Sequence, residues 1–381
     1  MKIGTVDPAL LEKNLTKRIE EDIRSQRVGG AAVAVLQHGK QLYKGFFGTQ
    51  CPGQSAPLRE DAVFRIASMT KPITAVAVLI QAQRGKLKLE DPVSLYLPEY
   101  ANITVGAEQS PCLTPLQIWH LLTHTSGMEG DADYRQWSKE LPPERQRTLE
   151  EGVRCYLEHP LSFQPGTLRR YSGRAAFDVL GRIVEITAGI DFATFVQQEI
   201  AAPCGMVDTT FAPNADQWSR MVGMHYYQDG RGTRVETTPG CVVDSVPVTH
   251  PLGGSGLIST LDDYIQFAQM LQNQGMTENG RILDASWIIR MASPQLAPEL
   301  MNETVNQGLG VRVIVGESYP HLAVGSYGWS GAYGTHFWVD PVNGITAVYL
   351  KNSRYDGGSG SLTGKHFEED VYNAILQQSP Y

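Results

Sequence analysis

Residues 65–81, RIASMTKPITAVAVLIQ, place a serine and a lysine three positions apart, directly before a run with almost no polar side chains. On a helix, Ser68 and Lys71 share one face and lie about one turn apart. A serine at a helix N-terminus lies near the positive end of the helix dipole, which favours negative charge developing on its oxygen. The apolar residues that follow desolvate the lysine, which favours the neutral amine that can accept a proton. The stretch therefore predicts a helix over 70–83, ended by Gly85. Ser68 and Lys71 at its start are either a nucleophile and a base or a capping serine and a solvated lysine.

The composition is that of an ordinary globular protein. The 381 residues, 42% hydrophobic and 19% charged, suffice for two domains or for one domain with a large insertion. The net charge of −8 argues against a nucleic acid or an anionic membrane as the main partner. The first 25 residues lack the apolar core of a signal peptide, and the longest apolar run, 75–80, is far too short to cross a bilayer. We therefore expect a cytoplasmic protein with neither kind of partner.

The cysteines are scattered, odd in number and never spaced as C-x-x-C. This usage is typical of reduced, mostly buried thiols and not of disulfides or a metal site, so we expect no metal and no cofactor. The five are Cys51, Cys112, Cys155, Cys204 and Cys241.

Strand-like segments lie near both ends of the chain, and helices fill the middle. The segment 29–48 predicts two strands joined by a tight turn at His38-Gly39-Lys40, and further strands are expected at 308–315, 335–340 and 344–352. Terminal helices are expected at 7–25 and 364–378. The pattern predicts an α+β fold, in which an antiparallel sheet built from both chain termini is flanked by helices and interrupted by a large, mainly helical insertion.

The same pattern predicts the division into domains. Residues 1–85 and 246–381 would form an α/β domain around the central antiparallel sheet. Residues 86–245 would form a mainly helical domain, and the active site would lie in the cleft between the two.

The motif Ser68-Met69-Thr70-Lys71 is weak alone, because a capping serine and a solvated lysine produce it about once by chance in such a chain. Four further blocks follow it in order: LLTHTSGM at 121–128, PGTLRRYSG at 165–173, GGSGLIST at 253–260 and GWSGAYGTHFWVDP at 328–341. Together the five blocks resemble the serine β-lactamase-like family, in the branch of class C β-lactamases and D-alanyl-D-alanine carboxypeptidases, and most of all the family VIII carboxylesterases. The resemblance spans roughly residues 15–375 and implies a β-lactamase/transpeptidase-like fold.

The resemblance also implies the site residues. Ser68 is then the nucleophile, and Lys71 and Tyr171 form the pair that takes its proton. Which of these two coupled groups is the primary base is left open. The oxyanion hole is formed by the backbone N–H groups of Ser68 and Ala332, and water or another acceptor releases the acyl group with the help of Tyr171. The substrate pocket includes Ser172, Gly173, Trp329, Ser330 and Gly331.

Two departures from the family pattern concern the substrate. Gly173 stands where the family's Tyr-x-Asn motif has asparagine. Trp329 stands where the family's Lys/His-Thr-Gly motif has lysine or histidine. An indole offers one N–H donor on a large apolar face and no positive charge. Trp329 therefore weakens the recognition of an anionic peptide or β-lactam and favours a small-molecule ester with apolar groups.

Other classes of hydrolase require residues that this sequence lacks. A metal hydrolase would use His120 and His124, but the glutamate of H-E-x-x-H and a third ligand are missing. An α/β-hydrolase needs G-x-S-x-G, which does not occur. A β-lactamase, a D-amino-acid peptidase or amidase, an acyltransferase to a small acceptor, and a penicillin-binding-type sensor without turnover remain as alternatives. The oligomeric state is left open.

Overall fold

The computed structural model describes residues 4–130, 132–145, 147–235 and 250–376. Its centre is an antiparallel sheet of seven strands, to which the N-terminal hairpin and the C-terminal part of the chain both contribute. The predicted α+β class is thereby confirmed. In spatial order the strands are Val305–Gln307, Arg312–Ile314, Tyr327–Ser330, His336–Asp340, Ile345–Leu350, Gly30–Gln37 and Lys40–Gly48.

The N-terminal hairpin turns where the sequence predicts it. Gln37 pairs with Lys40 across a two-residue turn, in which His38 and Gly39 have φ values of 50° and 77°. Positive φ at both central residues is the geometry that matches the twist of a hairpin. The strand Gly30–Gln37 is buried on both faces of the sheet, so its side chains alternate between two cores. Ala31, Val33 and Val35 belong to the core on one face, and Ala32, Ala34 and Leu36 to the core on the other.

Two terminal helices, Pro8–Arg24 and Leu362–Tyr372, pack together on the outer side. The first begins at Pro8 because the Asp7 carboxylate accepts the N–H groups of the first turn, at 2.9 and 3.2 Å. Arg18 joins the two helices through an ion pair with Asp370 at 2.7 Å.

The other side of the sheet carries the helix Leu261–Gln272. The predicted helix Thr70–Gln83 lies deeper, packed on Ala175–Ala188, and every residue from Thr70 to Gln81 is buried. A helix that is apolar on all sides is stable only inside a core, which is why this segment carries so few polar residues. Gly85 follows at φ 68°, as expected for a residue that ends a helix.

Shorter elements complete the described chain. The remaining helices are Ile118–Leu122, Ala132–Lys139, Leu149–Cys155, Phe192–Val196, Ala202–Cys204, Ala215–Ser219 and Ala285–Met291. Short antiparallel pairs join Thr5–Val6 with Ile375–Leu376, Phe64–Arg65 with Ile258–Ser259, Thr104–Val105 with Ser110–Pro111, Met224–Gln228 with Arg231–Val235, and Met276–Thr277 with Gly280–Arg281.

Two predicted elements are shorter than expected. The last helix ends at Tyr372, and Ile375–Leu376 instead pair with the N-terminal strand. The segment 308–315 is a strand only from Arg312 to Ile314, because Gly310 adopts a φ of 73° and the N–H of Gly308 bonds to the carbonyl of Val311 in a turn. Both differences arise from contacts with distant or turning backbone that a local pattern does not contain.

We propose the two-domain division predicted from the sequence, with residues 86–245 as the helical unit. In the described part of that range, no strand joins the central sheet, which supports the proposal. Within the described chain, Cys51, Cys112, Cys155 and Cys204 are free thiols, whereas Cys241 lies outside it. None of the described helices is both long enough and apolar enough to span a bilayer.

Candidate active site

Ser68 lies in a single 3₁₀ turn, Ala67–Met69, that runs directly into the helix Thr70–Gln83. Ala67 has a φ of 46°, a left-handed conformation that strains a residue with a side chain. The turn is anchored on both sides, since Tyr264 Oη donates to the carbonyl of Met69 at 2.8 Å and Thr335 Oγ1 to that of Ile66 at 3.0 Å. The serine is therefore presented by a strained, firmly held turn at the start of a helix, close to where the sequence places it.

Lys71 is completely buried one turn further along the helix. Its Nζ donates to the carbonyls of Gly173 and Gly254 at 2.7 and 2.8 Å, and lies 3.4 Å from Ser68 Oγ. An ammonium group would use all three N–H bonds on these oxygens. A neutral amine would use two on the carbonyls and direct its lone pair at Ser68 Oγ. In either form, Nζ is held by the two carbonyls and faces Ser68 Oγ.

Tyr171 Oη lies 2.7 Å from Ser68 Oγ, closer than the amine of Lys71. The tyrosine ring packs against both His124, at 4.8 Å between ring centroids, and Trp329, at 6.0 Å. His124 and Trp329 also stack on each other. These rings fix the direction of the phenol, so Ser68, Lys71 and Tyr171 form one hydrogen-bonded group.

The loop around Tyr171 is fixed by Glu129, a buried carboxylate that sequence analysis did not single out. Its Oε2 accepts the N–H groups of Arg174 and Ala175 at 2.6 and 2.9 Å, at the start of the helix Ala175–Ala188. It also accepts the hydroxyl of Ser172 at 3.0 Å. A carboxylate at a helix N-terminus is favoured by the free N–H groups and the dipole. The only signal in the sequence was a glutamate directly after the block 121–128.

This arrangement changes the expectation for two pocket residues. Ser172 is buried with its hydroxyl on Glu129, so it does not lie on the cavity wall. Gly173 is absent from the wall as well, and contributes its carbonyl to Lys71. That backbone oxygen bonds the lysine in the absence of the asparagine side chain of the family motif.

Directly after the strand Tyr327–Ser330, the chain comes very close at Gly331 to the residue that precedes the turn Ala67–Met69. A Cβ atom on this glycine would lie 2.4 Å from the carbonyl oxygen of Ile66 and 2.2 Å from Thr335 Oγ1, so any side chain would push the two segments apart. Gly331 therefore supports the site without lying on the cavity wall. The next residue, Ala332, lines the cavity together with Ser68, as an oxyanion hole requires.

Ser330 heads a chain of buried polar groups. Its Oγ lies 2.8 Å from His336 Nδ1, and His336 Nε2 lies 3.1 Å from Glu368 Oε1. Arg312 donates to the same carboxylate at 3.0 Å. Although burial opposes ionisation, the hydrogen bond from His336 and the charge of Arg312 lower the pKa of Glu368 to about 2. Sequence analysis missed His336 and Glu368, since they lie on separate elements that only the fold brings together.

The cavity in front of Ser68 has a volume of about 470 Å³. Trp329, Met301 and Val305 form apolar parts of its wall, and Tyr171, Ser330 and Asn306 form polar parts. The predicted residues Ser68, Tyr171, Trp329, Ser330 and Ala332 are thus brought together around one cavity, with Lys71 buried behind Ser68.

The two histidines considered as ligands of a metal hydrolase, His120 and His124, each accept a hydrogen bond from a backbone N–H group. His120 Nδ1 accepts the N–H of Gln117 at 3.0 Å, and His124 Nδ1 accepts that of Ser172 at 3.2 Å. Burial, with smaller contributions from the charges of Arg169 and Lys71, holds the pKa of His124 well below its ordinary value. Across the described ranges no group of three or more histidine, cysteine or acidic side chains could hold a metal ion.

His120 makes a prediction about acid stability. Burial lowers its pKa to about 4, below the ordinary value of 6.5, so between these values the unfolded chain binds the proton more tightly. Stability contributed by neutral His120 is complete above pH 6.5 and is lost as the pH falls toward 4. We expect the free energy of unfolding to fall by about 2 kcal/mol for this group between about pH 7.5 and about pH 5.

Urea unfolding of the wild type and of His120→Asn at both pH values measures this contribution. Asparagine keeps an acceptor for the N–H of Gln117 but does not titrate. The variant should lose less stability on acidification than the wild type. An equal loss in both proteins would show that His120 does not sense pH.

Comparison with known proteins agrees with this geometry. The sequence model of the Beta-lactamase family matches residues 15–365. Esterase EstB of Burkholderia gladioli is 30% identical over an alignment of 400 positions, which covers 94% of this chain and 95% of that protein.

Solved structures share the fold. EstCE1, described as a hydrolase with promiscuous acyltransferase activity, matches with a TM-score of 0.82 at 24% identity, over 97% of this chain and 99% of that one. Simvastatin synthase LovD from Aspergillus terreus matches with a TM-score of 0.80 at 22% identity, over 98% of this chain and 100% of that one. Because the family model and EstB both span nearly the whole sequence, the resemblance is confirmed: this chain belongs to the β-lactamase family of serine hydrolases.

Proposed function

We propose that this chain is a carboxylesterase that cleaves short-to-medium acyl esters through a covalent acyl-enzyme. The observation that carries the proposal is the position of Ser68 Oγ, 2.7 Å from Tyr171 Oη and 3.4 Å from Lys71 Nζ, on the wall of a cavity. A hydroxyl in contact with two proton-accepting groups is what nucleophilic catalysis by serine needs.

The first half of the reaction forms the acyl-enzyme. Ser68 Oγ attacks the carbonyl carbon of the ester while its proton passes to the Lys71–Tyr171 pair. The carbonyl oxygen becomes an oxyanion facing the backbone N–H groups of Ser68 and Ala332, and two such donors stabilise it by several kcal/mol. The tetrahedral intermediate then expels the alcohol, which takes up the proton from the pair.

The second half releases the acyl group. A water molecule in the cavity gives a proton to the Lys71–Tyr171 pair and attacks the acyl carbon. The carboxylic acid leaves, and Ser68 recovers its proton from the pair. Tyr171 is the group best placed for this step, because its hydroxyl lines the cavity whereas the amine of Lys71 is buried behind it.

The cavity wall supports an ester as the substrate. Trp329 occupies the position where lysine or histidine stands in the family motif, and Met301 and Val305 extend the apolar surface. The relative that matches along nearly the whole chain is named an esterase, which agrees with this proposal.

A comparison of two chromogenic substrates tests the proposal. We expect kcat/KM for p-nitrophenyl butyrate to exceed that for a chromogenic cephalosporin. More efficient turnover of the cephalosporin than of every ester in a graded acyl series would support a β-lactamase instead. A burst of one equivalent of nitrophenol without further turnover would support a sensor.

Trp329 can be tested as the residue that sets this preference. Trp329→Lys places an ammonium where the family motif has one, and a charge-assisted hydrogen bond to the cephalosporin carboxylate follows. We expect the ratio of kcat/KM for the cephalosporin to that for the neutral ester to rise by about tenfold. Trp329→Phe, which keeps an apolar ring, is the matched control and should change this ratio little. An unchanged ratio in Trp329→Lys would show that this position does not select against anionic substrates.

A further inference from the structure

The cavity in front of Ser68 has an unbalanced charge. Two arginines, Arg169 and Arg312, line it, and no aspartate or glutamate of the described chain is on its wall. The protein as a whole carries a net charge of −8, so a positively lined cavity runs against the overall composition. The local excess of positive charge therefore requires its own explanation.

Arg312 is already neutralised within the fold. Its guanidinium donates to Glu368 at 3.0 Å and to Tyr319 Oη at 3.3 Å. The paired carboxylate is itself buried, and the same ion pair belongs to the polar chain behind Ser330. This arginine is a structural member of the cavity wall.

Arg169 differs from Arg312 in having no ion pair with any carboxylate of the described chain. One of its terminal nitrogens donates to Gln307 Oε1 at 3.0 Å, while its Nε is buried and bonds to nothing in the described residues. Burial lowers the pKa of the guanidinium, which nevertheless remains charged at neutral pH. A partly buried cation without a counter-ion destabilises a fold, so its presence beside a reactive serine points to a ligand that supplies the missing charge.

The arginine is held in position by a buried amide. Gln307 is only 1% exposed, and its Nε2 donates to the carbonyl of Val311 at 2.9 Å. This bond fixes which end of the amide faces Arg169, so Gln307 Oε1 accepts from the guanidinium. Gln307 is a positioning residue for the cation.

We propose that Arg169 binds a carboxylate carried by the ester substrate, at a point away from the scissile carbonyl. The inference rests on the proposed esterase function and names its substrate class: esters with one free carboxylate. It also revises the expectation drawn from Trp329. On the strand Tyr327–Ser330, Trp329 replaces the lysine or histidine of the family motif. Arg169, which lies on a different segment, supplies a positive charge on the cavity wall instead.

The carboxylate can belong to the acyl half or to the alcohol half of the ester, and two matched pairs separate these sources. For the acyl half, the p-nitrophenyl monoester of glutaric acid is compared with p-nitrophenyl valerate, which has the same chain length. For the alcohol half, p-(butanoyloxy)benzoate is compared with p-(butanoyloxy)benzamide. In each pair the ratio of kcat/KM for the anionic member to that for the neutral member is measured.

In one of the two pairs, Arg169→Gln should lower this ratio by about tenfold or more, because a charged hydrogen bond is lost. Arg169→Lys should restore part of the ratio. Arg170→Gln is the matched control: it removes the same charge from the neighbouring residue, whose exposed side chain lies off the cavity wall, and should leave the ratio unchanged. Equal ratios in the wild type and Arg169→Gln for both pairs would overturn the inference.

A binding measurement keeps this test independent of the esterase proposal. Calorimetric titration of Ser68→Ala with glutarate and with valeramide, repeated in Ser68→Ala/Arg169→Gln, needs no turnover. Binding of glutarate that is lost with Arg169 supports the anion site even if no ester is hydrolysed. Hydrolysis of neutral esters without any Arg169-dependent binding or selectivity supports the esterase and overturns the anion site.

Discussion

Replacing Ser68 with alanine is expected to lower kcat for p-nitrophenyl butyrate by at least about 10⁴-fold, because the oxygen that forms the acyl-enzyme is removed. The fold should persist, since Ser68 is held by backbone contacts of its neighbours Ile66 and Met69 and not by its own hydroxyl. Steady-state kinetics and the thermal midpoint of each variant measure these two effects separately.

A second serine on the cavity wall provides the control for this experiment. Ser330, His336 and Glu368 form a hydrogen-bonded series of serine, histidine and carboxylate, a set of groups that also activates nucleophiles in other hydrolases. In this chain, however, the turn with the strained backbone presents Ser68 and not Ser330. We expect Ser330→Ala to lose less than about a hundredfold in kcat. Loss of all turnover in Ser330→Ala, with activity retained in Ser68→Ala, would assign the nucleophile to Ser330.

The second large effect is expected at the proton-accepting pair. Lys71→Ala and Tyr171→Phe should each lower kcat by about 10³-fold, since each removes one of the two groups that contact Ser68 Oγ. Tyr171→Phe is the cleaner variant, because the ring that packs against His124 and Trp329 stays in place. Lys71→Ala also leaves two buried carbonyls without their donor and should destabilise the fold as well.

The double variant distinguishes a shared function from two separate ones. If Lys71 and Tyr171 pass the same proton, removing both should lower kcat little more than removing one. If their effects multiply, the two groups act in different steps. The thermal midpoint of each single variant shows whether the variant is still folded at the temperature at which kcat is measured.

Much of the fold follows from local sequence. The helix Thr70–Gln83 and the turn at His38 and Gly39 are where their patterns predict them, because an unbroken apolar run and a residue pair suited to positive φ are local properties. The position at which the last helix ends is not determined by the local sequence. Ile375–Leu376 leave the helical pattern because a strand at the other end of the chain is available for pairing.

In the candidate site, too, some residues are predictable from the sequence and others are not. Ser68, Lys71 and Tyr171 belong to the family motifs, and the structure places both Lys71 Nζ and Tyr171 Oη within hydrogen-bond distance of Ser68 Oγ. Ser172 belongs to such a motif too, yet its hydroxyl bonds to Glu129 inside the fold. Arg169 lies inside the block 165–173, but nothing in that block marks it as a ligand-binding residue. Its importance depends on its surroundings in the fold, where none of the described carboxylates pairs with it, and no spacing in the sequence expresses this.

Mass spectrometry during turnover shows directly whether a covalent acyl-enzyme forms on Ser68. The protein is mixed with p-nitrophenyl butyrate, quenched in acid during the burst, digested and mapped by mass spectrometry. We predict one butanoyl group per chain, on the peptide that contains Ser68, and none in Ser68→Ala. A butanoyl group on Ser330 or on any other residue, or continued hydrolysis with no modified peptide, would contradict the account.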